Sequence, residues 1–136
     1  MLPSRAAVCS LQAPAAIGPY SQAVRLDVGE AGGLIFCSGQ IPLDPVTGEL
    51  CCEDLGGQVR RCLQSLQAIC GEAGAQLQDG LRLTVYTTEL QHFETINEVY
   101  SSFFGPDPPA RVVVGVAALP RGAKVEIDAI VLATPR

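Results

Sequence analysis

The sequence contains a single histidine, His92, and none of its six cysteines falls in a C-x-x-C pair. Zinc sites need several sulfur or nitrogen ligands at workable spacing, so no metal centre is expected. No run of lysine or arginine occurs either. The nearest thing, Arg60-Arg61, reads as the wet face of a helix. With a formal net charge of −5, a surface that tracks a nucleic-acid backbone is not expected. A local basic pocket for a small anion remains open. No apolar stretch approaches the ~20 residues of a membrane span, which argues against a membrane partner. Neither a phosphate loop nor a dinucleotide fingerprint is present, and no organic cofactor is expected.

Against these absences stand 136 residues, of which 48 % are apolar and 17 % charged. Such a chain can bury a core as one domain without disulfides or metal. The cysteines are Cys9, Cys37, Cys51, Cys52, Cys62 and Cys70. The neighbours Cys51 and Cys52 make a poor disulfide, and Cys62 and Cys70 fall near one helical face as small apolar groups. Without a secretory signal, all six read as reduced thiols in a cytosolic-type compartment. A redox role for Cys51 or Cys52 is the lesser alternative. Residues 1–12 carry Ser4 and Arg5 and no acidic group. They read as a short flexible N-terminus ahead of a single domain over 13–136. A mitochondrial presequence is the weaker alternative.

The chain pattern gives seven elements. Gln22 to Val28 and Leu34 to Ser38 read as strands, joined by a turn over Gly29 to Gly33. A long loop follows, centred on the turn Asp44-Pro45-Val46-Thr47-Gly48. Asp54 is placed to cap a helix running to about Glu72. Its apolar positions Val59, Cys62, Leu63, Leu66, Ile69 and Cys70 recur in steps of three and four, and Gly74 ends it. Leu81 to Thr88 is a strand, Gln91 to Phe104 a second helix with Phe93, Ile96, Tyr100 and Phe103 as its stripe. Arg111 to Ala118 and Ala123 to Leu132 are the last strands. Two helices cover only one face of such a sheet. Yet the final strand sets Val125, Ile127, Ala129 and Val131 on one side and Ile130 and Leu132 on the other. An apolar sheet face left open predicts an oligomer.

Four places hold polar groups that packing does not require: Tyr20 in its Pro-Gly loop, Ser38-Gly39 at the end of a buried strand, Arg111 at the start of another, and Glu126 within a third. The Arg111 guanidinium is a planar fork suited to a carboxylate. A surface role, or an ion pair with Glu126 or Glu98, is the plain alternative. Glu126 is a candidate general acid or base, or else a solvated residue beside Lys124 and Asp128. Tyr20 covers a ligand or merely anchors its loop. Ser38 has no histidine or lysine nearby and is no nucleophile; its hydroxyl and the Gly39 amide suit a ligand oxygen. Asn97 orients a ligand or fills a polar gap, and His92 lies exposed at a helix start.

Together these stretches resemble the RidA family, also called YjgF/YER057c/UK114. The resemblance is carried by Ala13 to Val24, by Ser38-Gly39-Gln40-Ile41-Pro42-Leu43-Asp44-Pro45 with Thr47-Gly48, and by Phe93 with Asn97-Glu98-Val99-Tyr100 and Phe103-Phe104. Pro109-Ala110-Arg111 and the stretch from Val116 to Ile127 complete it. It implies an α+β, chorismate-mutase-like fold, a mixed sheet with two helices on one face. It also implies a homotrimer with clefts between subunits. The implied activity is that of a cytoplasmic deaminase hydrolysing 2-iminopropanoate- and 2-iminobutanoate-type imines and enamines, released by pyridoxal-phosphate enzymes, to 2-oxo acids and ammonia. By motif match, Arg111 is the carboxylate-binding arginine and Glu126 the water-associated glutamate, the pair implied to be catalytic. Tyr20, Ser38, Gly39 and Asn97 match further substrate-binding positions. Arg82, Ser65 and the stretch Val112 to Gly115 depart from the family pattern, the last where it reshapes the pocket. Two other classes remain: an endoribonuclease that inhibits translation, and a non-catalytic metabolite-binding or chaperone-like oligomer.

Overall fold

The computed structural model describes residues 2–135. The strands are β1 (Ser4–Val8), β2 (Ala23–Asp27), β3 (Gly33–Gln40), β4 (Gly80–Thr87), β5 (Ala110–Gly115) and β6 (Val125–Ala133). The helices are α1 (Leu55–Glu72) and α2 (Phe93–Ser101). Among the described residues the strands form one sheet in the order β1-β2-β3-β6-β4-β5. The β4–β5 pair is parallel and the other pairs are antiparallel. This is the expected α+β arrangement, a mixed sheet with helices, and β6 is threaded into its centre between β3 and β4.

α1 begins and ends where its residue chemistry dictates. The Asp54 carboxylate accepts from the Gly57 amide at 2.8 Å and caps the first turn. At the other end Gly74 takes a φ of +80°, a conformation open to glycine. The Ala75 amide reaches back to the Cys70 carbonyl and the Gly74 amide to that of Gly71, which satisfies carbonyls left over at the helix end. The stripe Val59, Cys62, Leu63, Leu66, Ile69 and Cys70 is fully buried. It packs on β3 and β6, while α2 packs alongside α1 on the same face. The opposite face carries no helix. Phe36, Leu132, Val112 and Val114 stand exposed there.

The N-terminal expectation is corrected. Instead of a flexible stretch over 1–12, Ser4–Val8 forms an edge strand on β2, with Val8 opposite Ala23. Two local causes fix it. Val8 is buried in the core. The buried Gln22 side chain then staples the segment after it, accepting from the Ser10 amide at 2.6 Å and donating to the Pro14 carbonyl at 2.8 Å. The second helix is also shorter than expected. A 3-10 turn over Leu90–His92 precedes it, and Phe103 and Phe104 lie in the turn that follows.

Arg25 is the buried charge that the pattern did not reveal. It lies on the helix-covered face of β2 with 1 % of its surface exposed. It pairs with Asp27 at 2.9 Å and donates to the carbonyls of Ala73 and Thr134. One side chain thereby ties β2 to the end of α1 and to the end of β6.

Candidate active site

Strand register decides where the candidate residues point. Arg111 stands opposite Leu83, and Leu83 is in the core beneath the helices. The Arg111 side chain therefore rises on the helix-covered side. There its guanidinium carbon lies 4.7 Å from the ring centroid of Tyr100 and 5.6 Å from that of Phe93. Both rings sit within cation–π range of the fork. Phe93, expected to be core, is 40 % exposed because it serves this contact rather than the interior. Among the described residues Arg111 makes no ion pair, so the pairing with Glu126 or Glu98 is not found.

Beside the guanidinium lies a cavity of about 370 Å³, lined by Asn97, Tyr100, Ser101, Phe104, Pro109 and Arg111. The buried Asn97 Oδ1 and the buried Tyr100 hydroxyl in this wall have no hydrogen-bond partner among the described residues. Buried polar atoms are ordinarily paired, so this wall is built for polar contact with something other than the chain itself. Burial pushes the Tyr100 phenol above its ordinary range against the lowering pull of Arg111. It therefore remains a neutral hydroxyl at physiological pH, able to donate. Tyr100 is buried in the core, as its place in the stripe predicts. Its spacing of three from Asn97, on the same helix face, is the signal that marks it as a second polar group in the wall.

Glu126 goes the other way. It stands opposite Tyr86, while its neighbours Val125 and Ile127 are in the core, so it projects from the helix-free face. It lines a second cavity of about 280 Å³ with Tyr20, Ser38, Gly39, Ile41 and Pro120. The β3–β6 register slips between Cys37 and Gln40, leaving Ser38 and Gly39 outside the ladder. Gly39 leaves room for the Glu126 side chain. A Cβ at that position would come 2.6 Å from Glu126 Oε2. Burial, then the Asp128 charge, raises the Glu126 carboxyl above its ordinary value.

Two candidates have commitments of their own. The Ser38 hydroxyl donates to the Ser21 carbonyl at 2.6 Å, so it has no hydrogen left for a ligand oxygen. The Gly39 amide is the donor that remains for that task. The Tyr20 hydroxyl accepts from the Ile17 amide at 3.1 Å, which anchors its own loop and leaves the ring to line the cavity. His92 is exposed ahead of α2, as expected. After the arginine, Val113 packs on the core while a Cβ at Gly115 would press on Leu90 at 3.2 Å. The departure there is a close packing of β5 on the Leu90 turn. Among the described residues no group of three or more His, Cys, Asp and Glu side chains gathers to hold a metal. Among the described residues no helix is long and apolar enough to cross a membrane.

The structure thus sorts the expected residues into two sets. Arg111 and Asn97 share one cavity; Tyr20, Ser38, Gly39 and Glu126 share the other. The fold is that of a known class. The family model described as Endoribonuclease L-PSP matches residues 10–133. Protein DfrA of Myxococcus xanthus is 50 % identical over 127 residues, covering 93 % of this chain and 95 % of that one. The 2-iminobutanoate/2-iminopropanoate deaminase of Mus musculus is 40 % identical over 131 residues, 96 % and 93 % of the two chains. Among solved structures, that of E. coli TdcF with bound serine superposes with a TM-score of 0.84 at 40 % identity, covering 95 % and 99 %. The chain belongs to the RidA (YjgF/YER057c/UK114) family.

Proposed function

We propose that this protein is an enamine/imine deaminase, hydrolysing 2-iminopropanoate- and 2-iminobutanoate-type intermediates to 2-oxo acids and ammonia. The observation that carries the reading is the unpaired Arg111 fork, held over the Tyr100 ring beside a cavity with two unsatisfied polar atoms. A small carboxylate can accept from the Tyr100 hydroxyl, and the imine or iminium N–H of the same substrate can donate to Asn97 Oδ1. Relatives named as this deaminase, from mouse, human and Salmonella typhimurium, are 36–42 % identical to the chain.

The chemistry asks little of the protein. An iminium carbon is already electrophilic, so positioning does most of the work. Arg111 grips the carboxylate through two N–H bonds and aims carbon 2. Glu126 holds a water and takes its proton as the oxygen attacks carbon 2. Glu126 then returns that proton to nitrogen and takes the hydroxyl proton as the carbonyl forms, and ammonia leaves. The Gly39 amide positions a ligand oxygen, and Asn97 and Tyr20 bound the substrate. No metal or organic cofactor enters these steps.

One copy cannot run this sequence, because Arg111 and Glu126 project from opposite faces of its sheet. The reading therefore includes a homotrimer, in which the Arg111 cavity of one copy meets the Glu126 cavity of the next. The exposed Phe36, Leu132, Val112 and Val114 on the helix-free face supply the apolar surface for that association. The ribonuclease reading lacks comparable support: the net charge is −5 and the single histidine lies outside both cavities.

The experiment is a coupled assay. A pyridoxal-phosphate dehydratase acting on serine generates 2-iminopropanoate, and the appearance of pyruvate is followed with and without this protein. Faster pyruvate formation, lost in Arg111→Ala, is expected. No acceleration by the folded protein overturns the reading.

A further inference from the structure

Neighbouring side chains ordinarily diverge, since an extended backbone sends successive residues to opposite sides. Cys51 and Cys52 do not. Their sulfurs turn to the same side and stand 2.8 Å apart. The convergence is held at both flanks. The Cys51 amide donates to the Pro42 carbonyl at 2.9 Å, and Gln58 Nε2 donates to the Cys52 carbonyl at 2.9 Å. Gly57 leaves the room it needs: a Cβ there would come 2.7 Å from the Cys52 sulfur. The sulfurs also lie 3.9 Å from the Gly57 carbonyl and 4.0 Å from the Asp54 carbonyl, and the Cys52 thiol meets the Asp54 side chain. Both are partly exposed, and Cys52 opens onto a cavity lined by Leu50, Glu53, Gln58 and Lys124.

A direct sulfur–sulfur bond fits this pair badly. Disulfides span Cα atoms at least ~4.4 Å apart, whereas adjacent Cα atoms across a trans peptide are ~3.8 Å apart. A disulfide here is strained and easily reduced. One larger atom bridging the two sulfurs relieves that strain, and sulfur ligands select soft centres. We infer that Cys51 and Cys52 form a preformed two-sulfur clamp for trivalent arsenic. Arsenous acid, As(OH)3, forms two As–S bonds and breaks two As–O bonds. Each displaced hydroxyl leaves with a thiol proton as water, one hydroxyl stays on arsenic, and nothing is oxidised or reduced. Burial, then the Cys51 neighbour, pushes the Cys52 thiol up to about 12. That thiol is protonated at neutral pH and brings the proton this exchange uses. The site stands apart from the deaminase reading.

The test uses phenylarsine oxide on the full-length protein, whose single oxygen leaves as water with both thiol protons. Intact mass spectrometry is run in a large excess of glutathione, a monothiol. One phenylarsenic adduct is expected to survive glutathione and to be removed by 2,3-dimercaptopropanol. Cys51→Ser and Cys52→Ser each lose the adduct, and Cys9→Ser keeps it. Peptide mapping of the wild type, which needs no variant to fold, is expected to find arsenic on the peptide holding both Cys51 and Cys52. No adduct, retention in Cys51→Ser, or mapping to Cys9 or to the buried Cys37 and Cys70 overturns the inference.

Discussion

Arg111 and Glu126 stand on strands separated by β4 and project from opposite faces of the sheet. Measured along β4, Arg111 is level with Leu83 and Glu126 with Tyr86. Two strand spacings and this stagger place their Cα atoms roughly 14 Å apart. No rotamer change brings them to one substrate within a chain. Breaking the proposed assembly should then abolish turnover without damage to either cavity. Phe36→Asp combined with Leu132→Asp alters only exposed positions on the helix-free face. The expected outcome is a folded monomer by light scattering, with deaminase activity reduced by at least ~10²-fold.

Arg111 offers a fork rather than a point charge. Arg111→Ala and Arg111→Lys should both lower kcat/KM by roughly 10²-fold or more, since a lysine keeps the charge but not the bidentate geometry. Circular dichroism should show the fold retained in both. Lysine activity near wild type would mean that charge alone suffices.

Glu126 has a folded-state carboxyl raised by burial and by Asp128. The protonated form is therefore favoured in the folded protein. The stability this contributes is complete below the ordinary carboxylate value and is lost as pH rises through the raised one. Glu126→Gln should be the more stable protein at neutral pH, and the difference should shrink on acidification through that window. Denaturation midpoints against pH check this. For the reaction, Glu126→Gln should slow turnover more than it weakens binding of a 2-oxo acid.

Arg25 holds the Ala73 and Thr134 carbonyls and pairs with Asp27 from a nearly inaccessible position. Arg25→Ala should destabilise the protein by about 3 kcal/mol or more, as removal of one partner from a buried ion pair does. Chemical denaturation measures it. A loss below about 1 kcal/mol would mean that water replaces the guanidinium.

What the sequence made legible was local. The spacing from Val59 to Cys70 and the residues Asp54 and Gly74 define α1 because caps and a helical stripe are properties of one segment. Gly39 at a strand end, Arg111 at a strand start and Glu126 inside an apolar strand stand out for the same reason. What stayed hidden was set by contacts between distant segments. β1 is a short edge strand whose order comes from Gln22 gripping Ser10 and Pro14, and no alternation announces it. The insertion of β6 between β3 and β4 decides which face each strand residue takes, so the division of the candidate residues between two cavities required the sheet order. Nothing near Arg25 in the sequence marks it as buried, because the carbonyls it holds lie at Ala73 and Thr134. The Ser38 hydroxyl looked available because its acceptor is a backbone carbonyl, which residue identity does not reveal.

The most direct measurement mixes two inactive proteins. Arg111→Ala retains Glu126, and Glu126→Gln retains Arg111. Equal amounts are unfolded together, refolded and assayed with 2-iminopropanoate. With sites shared between neighbouring copies, random assembly gives each site one intact contributor of each kind about one quarter of the time. Recovery of activity to about one quarter of wild type, absent from either variant refolded alone, is the expected result. A mixture no more active than its parents would contradict a site built from Arg111 of one copy and Glu126 of the next.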